Sequence, residues 1–384
     1  MRELEQAAAG PLLPARRRRW RFSWTFARYL GRALISSVLT VTLGLVVLVL
    51  LFDAIEQLRR SGTREEGGFA EAIELALWHA PSTAQQLLPF TMLFAAMLTF
   101  RRMSRTNELV AARAAGISIW QFLMPVWLIA AVLGTISVTV LNPISTILYA
   151  RYEAQSDLLD DGELDRMEVA GGGLWLRQAL DGQPIVFHAR GVADSQTMSL
   201  TDVTIFLLDQ AGGYAGRIDA PGARLTDGFW ELQDAVTTRP NGQVERDAVL
   251  QVPTNLTLER IHGGLAQPET ISFWELPGYI ATLRSIGLPV RAHVVHYQNL
   301  LATPLMFAAM LLIGTVFSLR FARRGGTLVF VAMGIASGFV FFVFANVVLA
   351  VGLSGRLPAE LAAWTPAVVA ILLGLALLFH TEDG

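Results

Sequence analysis

FRRMSRTNELVAARAAGIS, residues 100–118, sets four arginines and a single glutamate between two long apolar runs. From Ser104 or Thr106 as N-cap to Gly116 as the stop, the phrase predicts a short helix over 104–116. Leu109, Val110 and Ala112 give that helix an apolar patch, and Glu108 stands near its positive end. A solvated acid that complements the helix dipole and a peg gripped by a cytoplasmic motor both fit these residues.

The runs on either side decide the fold. The chain is 53% hydrophobic and only 16% charged, too apolar for an ordinary soluble domain. Runs near 33–52, 75–100, 114–141, 300–319, 327–350 and 361–379 lack charged side chains over about a bilayer's thickness, which takes ~20 helical residues. The first is of full spanning length with no cleavage pattern behind it, so it is expected to stay as a helix. All 30 basic residues are arginine. Fifteen of them lie in 1–32, 101–113 and 320–326, against four in the opposite loops 53–74 and 351–360, which predicts both termini and the 100–118 stretch in the cytoplasm.

Three spans, an extracytoplasmic insert and three more spans follow from this spacing. The expected boundaries are a basic N-terminal segment 1–32, spans one to three over 33–142, an insert over 143–296 and spans four to six over 297–384. Within the insert, GLWLR (173–177), PIVFHAR (184–190), LTDVTIFLLD (200–209) and FWELQDAVTT (229–238) alternate with turn-rich clusters, predicting an all-β sandwich, jelly roll or barrel. The acidic stretch 156–168 reads as an irregular solvated connector, since its acids lack EF-hand spacing, and 271–287 as a short helix returning the chain to the membrane. The arm RRRRWRFSW (16–24) reads as topogenic and lipid-facing, not as a nucleic-acid site.

Several chemistries are excluded or disfavoured. Without cysteine there is no disulfide or thiolate, and without lysine no Walker A site, so any ATP and its magnesium must be used by a partner and no cofactor or metal is expected in this chain. His79 is the sole ionisable group within a span and reads as an interfacial histidine before a proton relay. GLSG (352–355) resembles a rhomboid-type serine motif, but Ser354 falls at the outer end of the fifth span and His380 at the cytoplasmic end of the sixth, about a membrane thickness apart, and HVVH (293–296) lacks the glutamate of a zinc-protease helix. No catalytic residue is assigned.

The phrase LPFTMLFAAMLTFRRMSRTNELVAARAAGIS (88–118) resembles the signature of the LptF/LptG permease family of the lipopolysaccharide export transporter. ARYLGRALI (27–35), EQLRRSG (56–62), Pro81, Pro89, Pro304 and GIASGFVFFV (334–343) extend the resemblance over all but the first residues, and EQLRRSG with PETISFWELPGYI (268–280) is closer to the LptG branch. Asn107 departs from the family's usual serine, while Glu108, Ala115 and Gly116 match.

The resemblance implies a six-helix (3 + 3) membrane protein with an inserted periplasmic β-jelly roll. It also implies a homologous LptF-like permease, an LptB-like ATPase dimer, an LptC-like periplasmic jelly-roll partner and lipopolysaccharide as substrate. Glu108 would couple the ATPase to the spans, with Arg105, Arg113 and Gly116 supporting and Arg101 and Arg102 flanking. Arg59 and Arg60 would meet lipid phosphates, where guanidinium pairing suits the task, and Phe339 and Phe342 would supply apolar wall. Asp53 stands where relatives commonly carry a basic residue and is expected to pair with Arg59 or Arg60. A MacB-like or FtsX-like mechanotransmission permease and a non-transport scaffold for envelope assembly are the alternatives. The former is disfavoured because its insert follows the first of four spans.

Overall fold

The computed structural model describes residues 24–61, 69–115, 118–160, 166–170, 173–180, 183–195, 197–209, 213–254, 256, 265–321 and 327–382. Most of the basic arm, 16–23, and Gly116 lie outside the described residues, as do the side chains of Arg60 and Arg113. The helices are α1 (Trp24–Ser61), α2 (Phe69–Arg105), α3 (Glu108–Ala114), α4 (Ile119–Ile136) and α5 (Asn142–Asp160), then α6 (Leu276–Ser285), α7 (Arg291–Phe321), α8 (Thr327–Leu353) and α9 (Ala359–Glu382). Six helices, at α1, α2, α4 with α5, α7, α8 and α9, are long and apolar enough to cross a membrane.

The spans pack through small residues and internal hydrogen bonds, because lipid supplies no hydrophobic drive between helices. A Cβ on Gly134 would lie 2.6 Å from Pro304 Cα, so α4 and α7 touch backbone to backbone at that point. Ser318 Oγ donates to the Met97 carbonyl at 3.1 Å, joining α7 to α2, and Thr99 Oγ1 donates to Ser37 Oγ at 2.9 Å, joining α2 to α1. Met92, Leu93, Phe100, Phe122, Phe307 and Met310 fill the core between them. The burial is uneven: 6% of the first apolar window and 11% of the fifth is covered, against 44%, 39%, 67% and 39% in the second, third, fourth and sixth.

The insert is all-β. Strands β1 (Arg166–Ala170), β2 (Gly173–Leu180), β3 (Gln183–Asp194), β4 (Ser199–Leu208), β5 (Tyr214–Thr226), β6 (Phe229–Thr238) and β7 (Val244–Pro253) form one antiparallel sheet in consecutive order. Its inner face closes on itself. The rings of Phe187 on β3 and Trp230 on β6 approach to 5.4 Å, although strands three places apart in a flat sheet are about 14 Å apart. Thr254, just after β7, donates to Gln178 of β2 at 2.7 Å, tying the two ends of the meander together. The roll expected from the strand-and-turn spacing is therefore made by curling one meander, with no crossing connection among the described strands.

Three boundaries differ from the sequence reading. The third span does not end near 142: it passes through a π-helical turn, Ser137–Leu141, and continues as helix to Asp160. The segment 156–168 is accordingly helix to Asp160 and strand from Arg166. The return segment forms helix only over Leu276–Ser285, preceded by a 3-10 turn at Pro268–Thr270. FWELQDAVTT matches β6 residue for residue.

Candidate functional site

Between the second and third spans lies the short polar helix α3. Ser104 does not cap it, since α2 runs on to Arg105. Asn107 takes the turn instead, at φ 57, a left-handed conformation that Asn tolerates better than most residues. Its carbonyl accepts the Ala111 N–H at 3.0 Å, so the helix proper begins at Glu108. At the far side Ser118 opens α4 with a capping box: its Oγ accepts from Gln121 N, and its own N–H donates to Gln121 Oε1. Helix α3 thus follows α2 across the turn at Thr106 and Asn107 and precedes the capped start of α4.

Its faces divide differently from the expected patch. Leu109 and Ala112 are buried and Leu109 joins the bundle core, whereas Val110 is exposed. Glu108 accepts from Thr106 Oγ1 at 2.8 Å and from the Tyr29 hydroxyl of α1 at 2.9 Å. Arg102 and Arg105 are exposed beside it. Arg101 does not flank the acid: it is buried and lies over the Phe330 ring of α8 at 4.8 Å, a cation–π contact from the second span to the fifth.

At the opposite end of α1 the expected charge pairing is corrected. Asp53 does not pair with Arg59, and the Arg60 side chain, its other expected partner, lies outside the described residues; Asp53 Oδ2 lies 2.9 Å from His79 Nδ1 on α2. The reason is helical geometry, since Arg59 reaches Glu56 one turn back and forms a two-pronged pair with it, Nε and Nη2 at 2.9 and 2.8 Å. His79 also stacks on Tyr152 of α5 at 4.8 Å, and Gln57 donates to the Tyr152 hydroxyl at 3.2 Å. His79 is therefore a clasp between the first, second and third spans.

Phe339 is 65% exposed, while Phe342 turns partly inward and meets the edge of Phe90 on α2 at 5.9 Å. Among the described residues the first and fifth spans, which carry Arg59 and these phenylalanines, form no extensive packed pair. Behind Phe342 is a cleft of about 340 Å³ among α2, α5, α7, α8 and α9, with Gln85, Gln86, Ser145, His296, Asn299 and Asn346 on its wall. Counting charged residues in the spans does not reveal this cleft; the amides at 85, 86, 299 and 346 are its signal in the sequence. Ser354 Oγ donates to the Val351 carbonyl at 2.9 Å in the turn after α8, and His380 lies in the last turn of α9. The 21 residues between the start of α9 and His380 amount to about 32 Å of helix, which separates the two.

Six membrane-length helices divided three and three about an inserted β roll define a multi-pass helical membrane protein with an inserted β domain. The family model "Lipopolysaccharide export system permease LptF/LptG" matches residues 28–380, and the chain belongs to that family. It is 22% identical over 378 residues to the lipopolysaccharide export system permease protein LptG of Haemophilus influenzae, covering 94% of this chain and 99% of that protein. It is 23% identical over 362 residues to the protein of the same name from Escherichia coli K12, covering 92% and 97%.

Proposed function

We propose that this chain is an LptG-like permease subunit of an ABC transporter that extracts lipopolysaccharide from the bacterial inner membrane and passes it to a periplasmic β bridge. A separate LptB-like ATPase dimer hydrolyses ATP with its magnesium, a homologous LptF-like permease completes the membrane domain, and an LptC-like roll continues the path. The chain itself is non-catalytic. Both termini and α3 face the cytoplasm and the β roll faces the periplasm, the orientation that the arginine distribution favours.

The observation that carries this reading is Glu108 at the first residue of a helix between the second and third spans. A contact made there by a cytoplasmic motor bears on the two spans that α3 joins in sequence. The two thinly covered spans, α1 and α8, supply the surface on which a second permease and an acylated substrate are accommodated. Among the described strands β1 and β7 are the sheet edges, and strand addition at an edge is the means by which a roll extends into a further roll.

Purification of the tagged protein from its native membrane in mild detergent tests the reading. A P-loop ATPase and a second six-span permease are expected to co-purify, and Glu108→Lys is expected to uncouple ATP hydrolysis from lipopolysaccharide export. Recovery of the protein alone, without ATPase activity, favours the scaffold alternative.

A further inference from the structure

Both carboxylate oxygens of Glu108 are held by hydroxyls of its own chain. The Thr106 hydroxyl comes from the turn before α3, but the Tyr29 hydroxyl comes from α1, 79 residues away in sequence. A carboxylate accepts about four hydrogen bonds, so two positions stay available to donors on a docked protein while both internal bonds persist. Glu108 is therefore a junction with room for a third party.

Tyr29 sits where α1 is anchored. Its neighbours Leu30 and Leu34 are fully buried in the bundle core, and a Cβ on Gly31 would come within 2.7 Å of Ile129 on α4. Farther along, α1 presents Leu39, Leu43, Val47 and Leu51 outward at four-residue spacing, and little of it is covered. A displacement applied at Tyr29 acts at the anchored end of a single continuous helix that runs to Ser61. Ring and main chain move together, because a tyrosine has only two side-chain torsions to absorb the motion.

We propose that Tyr29 is a positioning residue for energy coupling: its hydroxyl fixes the Glu108 carboxylate and links the first span directly to α3. Movement of α3 then reaches α1 as well as α2 and α4, and α1 is the span whose outward stripe bounds the substrate path. The inference rests on Glu108 being the contact with the ATPase.

The complex purified with its ATPase and second permease, reconstituted in liposomes containing lipopolysaccharide, gives the test. Lipopolysaccharide delivered per ATP hydrolysed is compared for wild type, Tyr29→Phe, Glu108→Gln and the double variant, with ATPase content and melting temperature measured on each. Tyr29→Phe is expected to retain the ATPase and the melting temperature yet lower the ratio by about tenfold, the scale of one charge-assisted hydrogen bond. The double variant is expected to be no worse than Glu108→Gln alone. Wild-type transfer by Tyr29→Phe beside an uncoupled Glu108→Gln overturns the inference and leaves the coupling role of Glu108 standing. Wild-type transfer by both removes the coupling role and the inference with it. Losses that multiply in the double variant, or release of the ATPase by Tyr29→Phe, show an independent or docking role and overturn the inference alone.

Discussion

The Phe273 N–H donates to Asn142 Oδ1 at 2.8 Å, at the residue where the third span leaves its π-helical turn. Beside it the Trp274 indole donates to the Thr139 carbonyl at 3.1 Å, inside the turn itself. A π-turn alters the main-chain ladder locally and leaves carbonyls free for outside donors. The return segment of the β insert is thereby fastened to the span that α3 precedes, with Val138, Ile271, Leu276, Ile280 and Leu300 packed around the joint.

Asn142→Leu is expected to destabilise this joint by about 1–3 kcal/mol, since it removes the acceptor and strands a partly buried main-chain N–H. The readout is thermal unfolding in detergent combined with hydrogen exchange at residues 271–276. Protection equal to wild type would show that the side chain does not fasten the return segment.

Removal of both partners in the Asp53–His79 clasp should cost less than the sum of the two single removals. A double-mutant cycle with Asp53→Ala and His79→Ala is expected to give a coupling of about 1 kcal/mol in unfolding free energy. Strict additivity would reduce the 2.9 Å contact to coincidence.

Arg59 is held by Glu56, so the two residues should act in opposite directions on substrate capture. Arg59→Ala together with Arg60→Ala is expected to weaken photocrosslinking to lipopolysaccharide, and Glu56→Gln to strengthen it by freeing the guanidinium. Unchanged crosslinking in both variants would remove this end of α1 from the substrate path.

Gly134→Val places a branched side chain against the backbone of Pro304. Overpacking of this kind costs about 1–3 kcal/mol, and a lowered melting temperature with intact membrane insertion is the expected result. A stability equal to wild type would mean that α4 and α7 stand farther apart.

The natural absence of cysteine makes topology directly testable. Single cysteines at 62 and 355 are expected to react with an impermeant maleimide from the periplasm, and one at 104 is not. The reverse pattern would invert the protein in its membrane.

Helix count, the 3 + 3 division and the β character of the insert were legible in the sequence. Charge-free runs of bilayer length have few alternatives, and short apolar phrases between turn residues, such as FWELQDAVTT, read as strands. Glu108 was legible as the lone acid of a basic stretch. Side-chain partners were decided only by the tertiary structure. Asp53 could have met Arg59 by sequence distance, yet the helix gives Arg59 to Glu56 and the packing of α1 on α2 gives Asp53 to His79. The Tyr29–Glu108 bond, the Arg101–Phe330 contact and the amide-lined cleft share that origin. Each joins segments far apart in the chain, and only helix packing sets their distance; periodicity along one helix carries no information about the rotation or depth at which another meets it.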